Sequence, residues 1–325
     1  MKLSRWLGST MALLALVAMT SPTHAADAVT FRLNWYLGGL HAPFYYGKEK
    51  GYYAAEGIDL TINEGRGSVA TVQAVAAGAD TFGLADSSSL ILTSSKGAEI
   101  KSVMSLLNST GYSVVSLAST GIKTPKDLEG KRLAVTPGDP LGQLFLALAA
   151  HNKLDMSKIT LIQVDPAAKV VSVLEKRADG LLGGADDQYF LIKQRGVQPA
   201  ALRYSEYGAN IVGMTIVAKT DLIKSNPDLV RRFVRATVKS WDEAKKNPEA
   251  AVDATLKVKP DLNRQSQLEQ LMVDIDLLDS PNSKGRVGWG AKADWDQTLD
   301  LLKRYRELKT DQPWTAFHTN EFLAQ

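Results

Sequence analysis

The chain contains no cysteine. That excludes disulfide staples, thiol catalysis and cysteine-based zinc sites, and it suits an exported protein that needs no oxidative help in folding. Histidine is nearly as scarce. The four residues are His24, His41, His151 and His318, too scattered to put a metal-binding pair one helical turn apart. No H-E-x-x-H, G-x-S-x-G or G-x-x-x-x-G-K-[ST] pattern occurs, so the zincin, serine-hydrolase and P-loop signatures are missing. No basic run or Lys/Arg face is present, which argues against a nucleic-acid partner. Beyond residue 25 no apolar run approaches 18 residues, so the mature chain is not expected to span a membrane.

What is there begins with an address. Residues 1–25 read as a secretory signal peptide. Lys2 and Arg5 give a positive start, residues 7–18 form the apolar run, and Thr23-His24-Ala25 offers a small-residue cleavage site. A lipoprotein would need a cysteine at that point. About 300 residues remain, enough for two domains with cores of their own. Loss of Lys2 and Arg5 takes the formal charge from +3 to +1.

The mature chain is organised around Phe31-Arg32-Leu33-Asn34-Trp35-Tyr36-Leu37-Gly38-Gly39-Leu40-His41-Ala42-Pro43. A short buried strand, 31–33, runs into an Asn-Trp pair. Two glycines then loosen the backbone ahead of a helix with Pro43 in its first turn, where a missing N–H costs nothing. Such a strand end is where an α/β sheet presents ligand-binding groups. Trp35 there is either a core plug or a platform for a flat ligand.

The pattern of strand, polar turn and helix then repeats. Strands are expected at 58–62, 81–84 and 100–106, with a helix at 69–77 capped by Ser68 and another opening at Asp86-Ser87-Ser88. A second series follows a strand at 112–117. Thr124-Pro125-Lys126-Asp127 forms a capping box, strands fall at 132–135, 161–164 and 180–184, and helices start at Asp139-Pro140 and Asp165-Pro166. An apolar strand at 211–218 precedes a mainly helical C-terminal part. Alternation of this kind predicts an α/β fold with largely parallel sheets. The expected division is a first lobe of residues 26–112 plus 214–325 and a second lobe of 113–213. Two crossing strands, near 112–117 and 211–217, would join the lobes around a ligand cleft.

Gly47-Lys48-Glu49-Lys50-Gly51-Tyr52-Tyr53-Ala54-Ala55-Glu56-Gly57-Ile58-Asp59-Leu60, Ala77-Gly78-Ala79-Asp80-Thr81-Phe82-Gly83 and Thr124-Pro125-Lys126-Asp127-Leu128-Glu129-Gly130-Lys131 carry a family resemblance. Together they resemble the substrate-binding proteins of ABC importers, in the group that binds thiamin pyrimidines, aliphatic sulfonates, taurine and nitrate. The resemblance implies a type II periplasmic binding fold of two Rossmann-like lobes. It also implies a periplasmic, monomeric, non-enzymatic receptor that hands a small-molecule ligand to an ABC permease and its ATPase subunits. A eukaryotic branch of the same superfamily makes the thiamin pyrimidine with a cysteine-rich motif, and the absence of cysteine sets that activity aside.

The resemblance implies that ligand groups come from turns at strand ends in both lobes, with Asn34 and Trp35 matching the place where pyrimidine binders put an aromatic. His41 is a helix-start residue and a further contact. Gly65 to Ser68 offers backbone N–H groups, a hydroxyl and Arg66, a set suited to an anion. The same run, with Gly67 and Ser68, fits the dinucleotide pattern G-x-G-x-x-A, with Asp86 about 20 residues on. Export away from the cofactor pool and placement on the second α/β unit set that reading aside, so no cofactor is expected. Asp86 and Ser87 cap a helix or bond a ligand, and Asn108 is read in the same way. Gly138, between Pro137 and Asp139, marks a helix N-terminus. Asp186 and Asp187 can accept from an amino group or cation, but alternation at a strand end would point them to opposite faces and prevent joint acid–base work. Tyr207 is a second stacking candidate. Trp35, Tyr207 and the carboxylates favour a pyrimidine-like ligand, a thiamin precursor or another heteroaromatic compound. Arg66 to Ser68 supports a sulfonate, taurine or nitrate as the alternative.

Overall fold

A computed structural model describes residues 25–323 except Gly138 and Lys284. Residues 1–24 of the expected signal peptide, and the Gly138 assignment, therefore lie outside the described residues. In chain order the elements are β1 (Asp27–Arg32), α1 (Ala42–Glu49), α2 (Tyr52–Ala55), β2 (Ile58–Asn63), α3 (Ser68–Ala76), β3 (Phe82–Asp86), α4 (Ser87–Ser94) and β4 (Ile100–Ser105). Next come β5 (Tyr112–Leu117), β6 (Arg132–Val135), α5 (Pro140–His151), β7 (Thr160–Gln163), α6 (Ala168–Leu174), β8 (Gly180–Gly184), α7 (Gln188–Lys193) and β9 (Pro199–Arg203). The chain closes with β10 (Met214–Lys219), α8 (Thr220–Ser225), α9 (Pro227–Lys246), α10 (Pro248–Leu256), α11 (Arg264–Leu277) and α12 (Lys292–Tyr305).

The strands form two five-stranded sheets, β2-β1-β3-β10-β4 and β7-β6-β8-β5-β9. In the first, β1 lies parallel between β2 and β3, while β10 runs antiparallel to both β3 and β4. In the second, β6 lies parallel between β7 and β8, and β5 runs antiparallel to both β8 and β9. Each sheet thus has one reversed strand, supplied by chain returning from the other. The chain crosses over residues 106–111 and 208–213, and the ladders of β5 and β10 begin where those crossings end. The Gly213 N–H bonds Leu107 O at 2.8 Å and ties the two crossings together.

Helices cover both faces, so β3 and β8 are buried at every residue and read as apolar and glycine runs without alternation. Behind the first sheet, α9 buries Leu229, Val230, Phe233, Val234, Thr237 and Trp241 along one stripe. Phe233 stacks on Phe82 at 4.1 Å and meets Phe31 at 5.5 Å. Each such ring contributes about 1.5–3 kcal/mol through burial. The packing of α1 on α9 needs Gly47, because a Cβ there would fall 1.7 Å from Ser240 Oγ.

Two features differ from the sequence reading. β9 was not anticipated: it is short, half-exposed and opens on a proline, a signature of an edge strand. Helix α6 starts at Ala168 and buries Lys169, Ser172 and Val173, leaving Val170 and Leu174 only partly covered. A buried lysine is invisible to a rule that counts apolar residues.

Candidate functional site

Asp86, at the end of β3 in the first sheet, lies near Asp139 beyond β6 and Asp186 beyond β8 in the second, all three close enough for their charges to bear on Tyr112. Two turns on the first wall are zipped together. The Gly65 N–H donates to Trp35 O at 3.1 Å and the Gly67 N–H to Asn34 O at 2.8 Å. Gly65 is required for that approach, since a Cβ would lie 1.9 Å from Leu33 O. Trp35 stays half-buried, outside the apolar clusters, with its ring edge beside Gly67. It is not a core plug.

Asn34 is held by His41. The Gly38 N–H donates to His41 Nδ1 at 3.0 Å, which leaves the proton on Nε2 to be donated to Asn34 Oδ1 at 2.9 Å. Burial pushes the His41 pKa down to about 3. With both ring nitrogens engaged, His41 orients Asn34 and is not a ligand contact. The Asn34 amide nitrogen has no partner among the described residues and is the group that this turn offers.

The anion set is dispersed. Gly67 has given its N–H to Asn34, and Ser68 Oγ accepts from the Asp86 N–H at 3.0 Å. Arg66 is exposed and pairs with no acidic residue among those described. Asp86 and Ser87 resolve as structural residues. Asp86 caps α4, taking the Ser89 N–H at 2.8 Å together with the Ser88 and Ser89 hydroxyls, and Ser87 Oγ donates to Val212 O. Asn108, fully buried, accepts from Ser105 Oγ at 2.9 Å and donates to Leu278 O at 2.9 Å. It is a lock on the crossing, with no atom left for a ligand pair.

On the second wall, Asp139 caps α5 through the Leu141 N–H at 2.9 Å and pairs with buried Lys169 at 2.6 Å. Lys169 also donates to Leu182 O at 2.8 Å. Beyond β8 the chain turns at 185–187, so strand alternation does not separate Asp186 from Asp187. Asp186 presses against Gly111 of the crossing, where a Cβ would sit 2.5 Å from its Oδ1. Asp187 accepts from the Gln188 side chain. Both keep partial exposure while protein surrounds their carboxyls. Burial raises the pKa of Asp186, and burial together with the neighbouring Asp186 charge raises that of Asp187 to about 7.

Tyr207 is not part of this arrangement. Its carbonyl accepts from Asn152 just past the C-terminus of α5, and its hydroxyl donates to Lys123 O at 3.3 Å. Twelve residues of α5, about 18 Å, separate that end from Asp139. The second-sheet aromatic that lies among the carboxylates of both sheets is instead Tyr112, the first residue of β5. Burial, then the charges of Asp86, Asp139 and Asp186, hold its hydroxyl well above the ordinary pKa. The sequence offered a signal for it, an aromatic directly after Gly111 at the crossing.

Two more contributions come from the C-terminal helices. α12 straps the crossing: Thr298 Oγ1 accepts from the Val212 N–H at 2.9 Å, and Gln297 donates to Asn210 O at 3.0 Å. Its Trp295, Leu299 and Leu302 pack with the first sheet's cluster, and Leu301 packs with the second's. α11 reaches across the mouth, with Lys193–Glu269 at 2.8 Å and Gln194 to Ser266 at 2.5 Å. No group of His, Asp and Glu suited to a metal ion occurs among the described residues.

Comparison with known proteins places this geometry. The formylaminopyrimidine-binding protein of Halalkalibacterium halodurans is 25% identical, over 91% of this chain and 90% of its own. The 4-amino-5-hydroxymethyl-2-methylpyrimidine phosphate synthase THI5 of Saccharomyces cerevisiae is 23% identical, over 92% of this chain and 89% of its own. In fold, the chain resembles the periplasmic aliphatic sulphonate binding protein SsuA from Escherichia coli, with a TM-score of 0.70 at 14% identity, covering 89% of this chain and 91% of that one. The periplasmic binding-protein architecture expected from the sequence is the one observed. Residues 39–251 match the family model described as NMT1/THI5 like, and the chain belongs to that family.

Proposed function

We propose that this protein is the periplasmic solute receptor of an ABC importer, and that its ligand is a flat, nitrogen-bearing heteroaromatic compound of the pyrimidine class. The observation that carries this reading is the uncommitted Asn34 amide nitrogen beside half-buried Trp35 at the end of β1, with Asp186 and Asp187 at the turn that follows β8 in the other sheet. A π-face, one donor and a pair of carboxylates suit a ring edged with amino groups. They suit a sulfonate less well, because it brings no N–H donor to the Asp186 and Asp187 carboxyls. The relatedness to a formylaminopyrimidine-binding protein supports the same class.

The receptor is non-catalytic and delivers its ligand unchanged to a permease. The yeast relative is named as a synthase, but the eukaryotic branch works through a cysteine-rich motif and this chain has no cysteine. Among the described residues no helix is long and apolar enough to cross a membrane, so transport depends on partner subunits. Ligand closes the cleft only through its differential affinity for the closed state.

The test is calorimetric titration of the purified protein with aminopyrimidines, alkylsulfonates, taurine and nitrate, followed by recovery of the ligand. Stoichiometric binding of an aminopyrimidine recovered intact is the expected result. A chemically altered product, or tight binding confined to sulfonates, would overturn it.

A further inference from the structure

Helix α11 has a buried face that is polar where a helix packed on a sheet is ordinarily apolar. Gln267, Gln270 and Asp274 fall on it at spacings of three and four residues, with exposures of 5%, 7% and 1%. Gln270 is accounted for, because its Oε1 accepts from the Gly39 N–H at 2.9 Å. Gln267 Oε1 and both carboxylate oxygens of Asp274 have no hydrogen-bond partner among the described residues. Leaving a buried ionisable group without partners costs several kcal/mol. A fold retains such a group where something else satisfies it.

The position of Asp274 shows what that is. One turn after it, Leu277 O accepts the Asn108 N–H at 3.0 Å and Leu278 O accepts the Asn108 side chain at 2.9 Å. The crossing at 106–111 is therefore bonded to the end of α11 one turn beyond Asp274. At the end of that crossing, Thr110 carries another buried hydroxyl without a partner, and Gly111 is the residue against which Asp186 packs. Asp274 on one lobe thus faces Asp186 and Asp187 on the other, close enough for their charges to bear on its ionisation. Among the described residues the one buried lysine, Lys169, is already held by Asp139 and Leu182 O.

We propose that Asp274 is a ligand-binding residue which α11 carries over the cleft, and that it selects ligands with a cationic, N–H-rich edge such as an aminopyrimidinium. The proposal rests on the cleft assigned above and names the charge state and the edge of the ligand recognised there. An amidine-like edge presents two adjacent N–H donors, which match the two free oxygens of one carboxylate. Its positive charge also offsets the cost of ionising Asp274, a cost that burial and the nearby Asp186 and Asp187 impose in the ligand-free protein.

The test compares the wild type with Asp274→Asn and Asp274→Ala, using 4-amino-2-methylpyrimidine, its 4-oxo analogue and butanesulfonate as probes. The wild type should prefer the amino compound to the oxo compound. Asp274→Asn should weaken binding of the amino compound by about 30-fold or more, the loss expected when one partner of a buried charge pair is neutralised. It should also narrow the preference over the oxo compound, because an amide can donate to a ring carbonyl. The ligand-free Asp274→Asn protein should melt no lower than the wild type, since no protein hydrogen bond is lost. Asp274→Ala should show the same loss of affinity. Unchanged affinity and preference in both variants would overturn the proposal, as would a wild type that binds butanesulfonate and neither pyrimidine. A ligand-free Asp274→Asn protein that melts far below the wild type would identify a structural residue instead. Turnover of the amino compound with the Asp274 effects intact would overturn the receptor reading and leave this one standing.

Discussion

His41 and Asn34 form a closed polar pair at the end of β1, with Nε2 of the ring 2.9 Å from the amide oxygen. The other ring nitrogen is fixed by the Gly38 N–H, so the amide can present only its nitrogen to the cleft. His41→Ala should therefore reduce affinity although His41 touches no ligand. The stranded Gly38 donor should cost about 1–3 kcal/mol of stability. His41→Gln, which can replace one bond, should recover part of both losses. Equal affinity in all three proteins, measured by titration, would remove the positioning role.

Trp35 is half-buried and outside the core clusters. Trp35→Ala should fall well short of the 3–5 kcal/mol lost when a core tryptophan is truncated. Affinity for a pyrimidine should drop by about 1–3 kcal/mol, the range for base–aromatic stacking. Urea denaturation and titration of the same variant read both quantities. A large loss of stability with normal affinity would return Trp35 to the core.

The folded state holds a proton on Asp187 up to about pH 7, well above the ordinary 3.8. Its pKa is raised on folding, so the group's contribution is fully present below about pH 4 and is lost as pH rises through 7. Asp187→Asn should thus gain melting temperature relative to the wild type at pH 8 and gain little at pH 4. His41 and His318, lowered to about 3 and about 4, act with the opposite sign below 6.5, but they are common to both proteins and cancel in the difference. Parallel curves for the two proteins would contradict the assignment.

Lys169 and Asp139 form a buried pair. Lys169→Met should cost about 3–5 kcal/mol, because it leaves Asp139 uncompensated. Adding Asp139→Asn should return much of that loss. Denaturant midpoints for the single and double variants measure the coupling, and additive losses would mean that the two residues do not act as a pair.

Tyr207→Phe removes only the bond to Lys123 O. It should cost about 0.5–1.5 kcal/mol and leave affinity unchanged, whereas Tyr112→Phe should alter binding. Titration of the two variants separates the tyrosines, and a reversal would restore Tyr207 to the cleft.

Features that arise within a few residues could be read directly from the chain. The capping box at Thr124 and Asp127, the cap of Asp139 on α5 and the bounds of Arg132–Val135 and Gly180–Gly184 all follow from local hydrogen bonding and periodicity. The order of strands and helices was legible for the same reason. Which side chains come near one another depended on the fold. Tyr207 and Tyr112 look alike as sequence, and the length of α5 separates one from the cleft while the crossing delivers the other. Asp274 lies on a helix that carries no motif, and only the packing of α11 shows its carboxylate buried with no hydrogen-bond partner among the described residues. Convergence depends on sheet order and on which helix returns across the gap, and these are set by burial summed over the whole chain, so no window of neighbouring residues contains them.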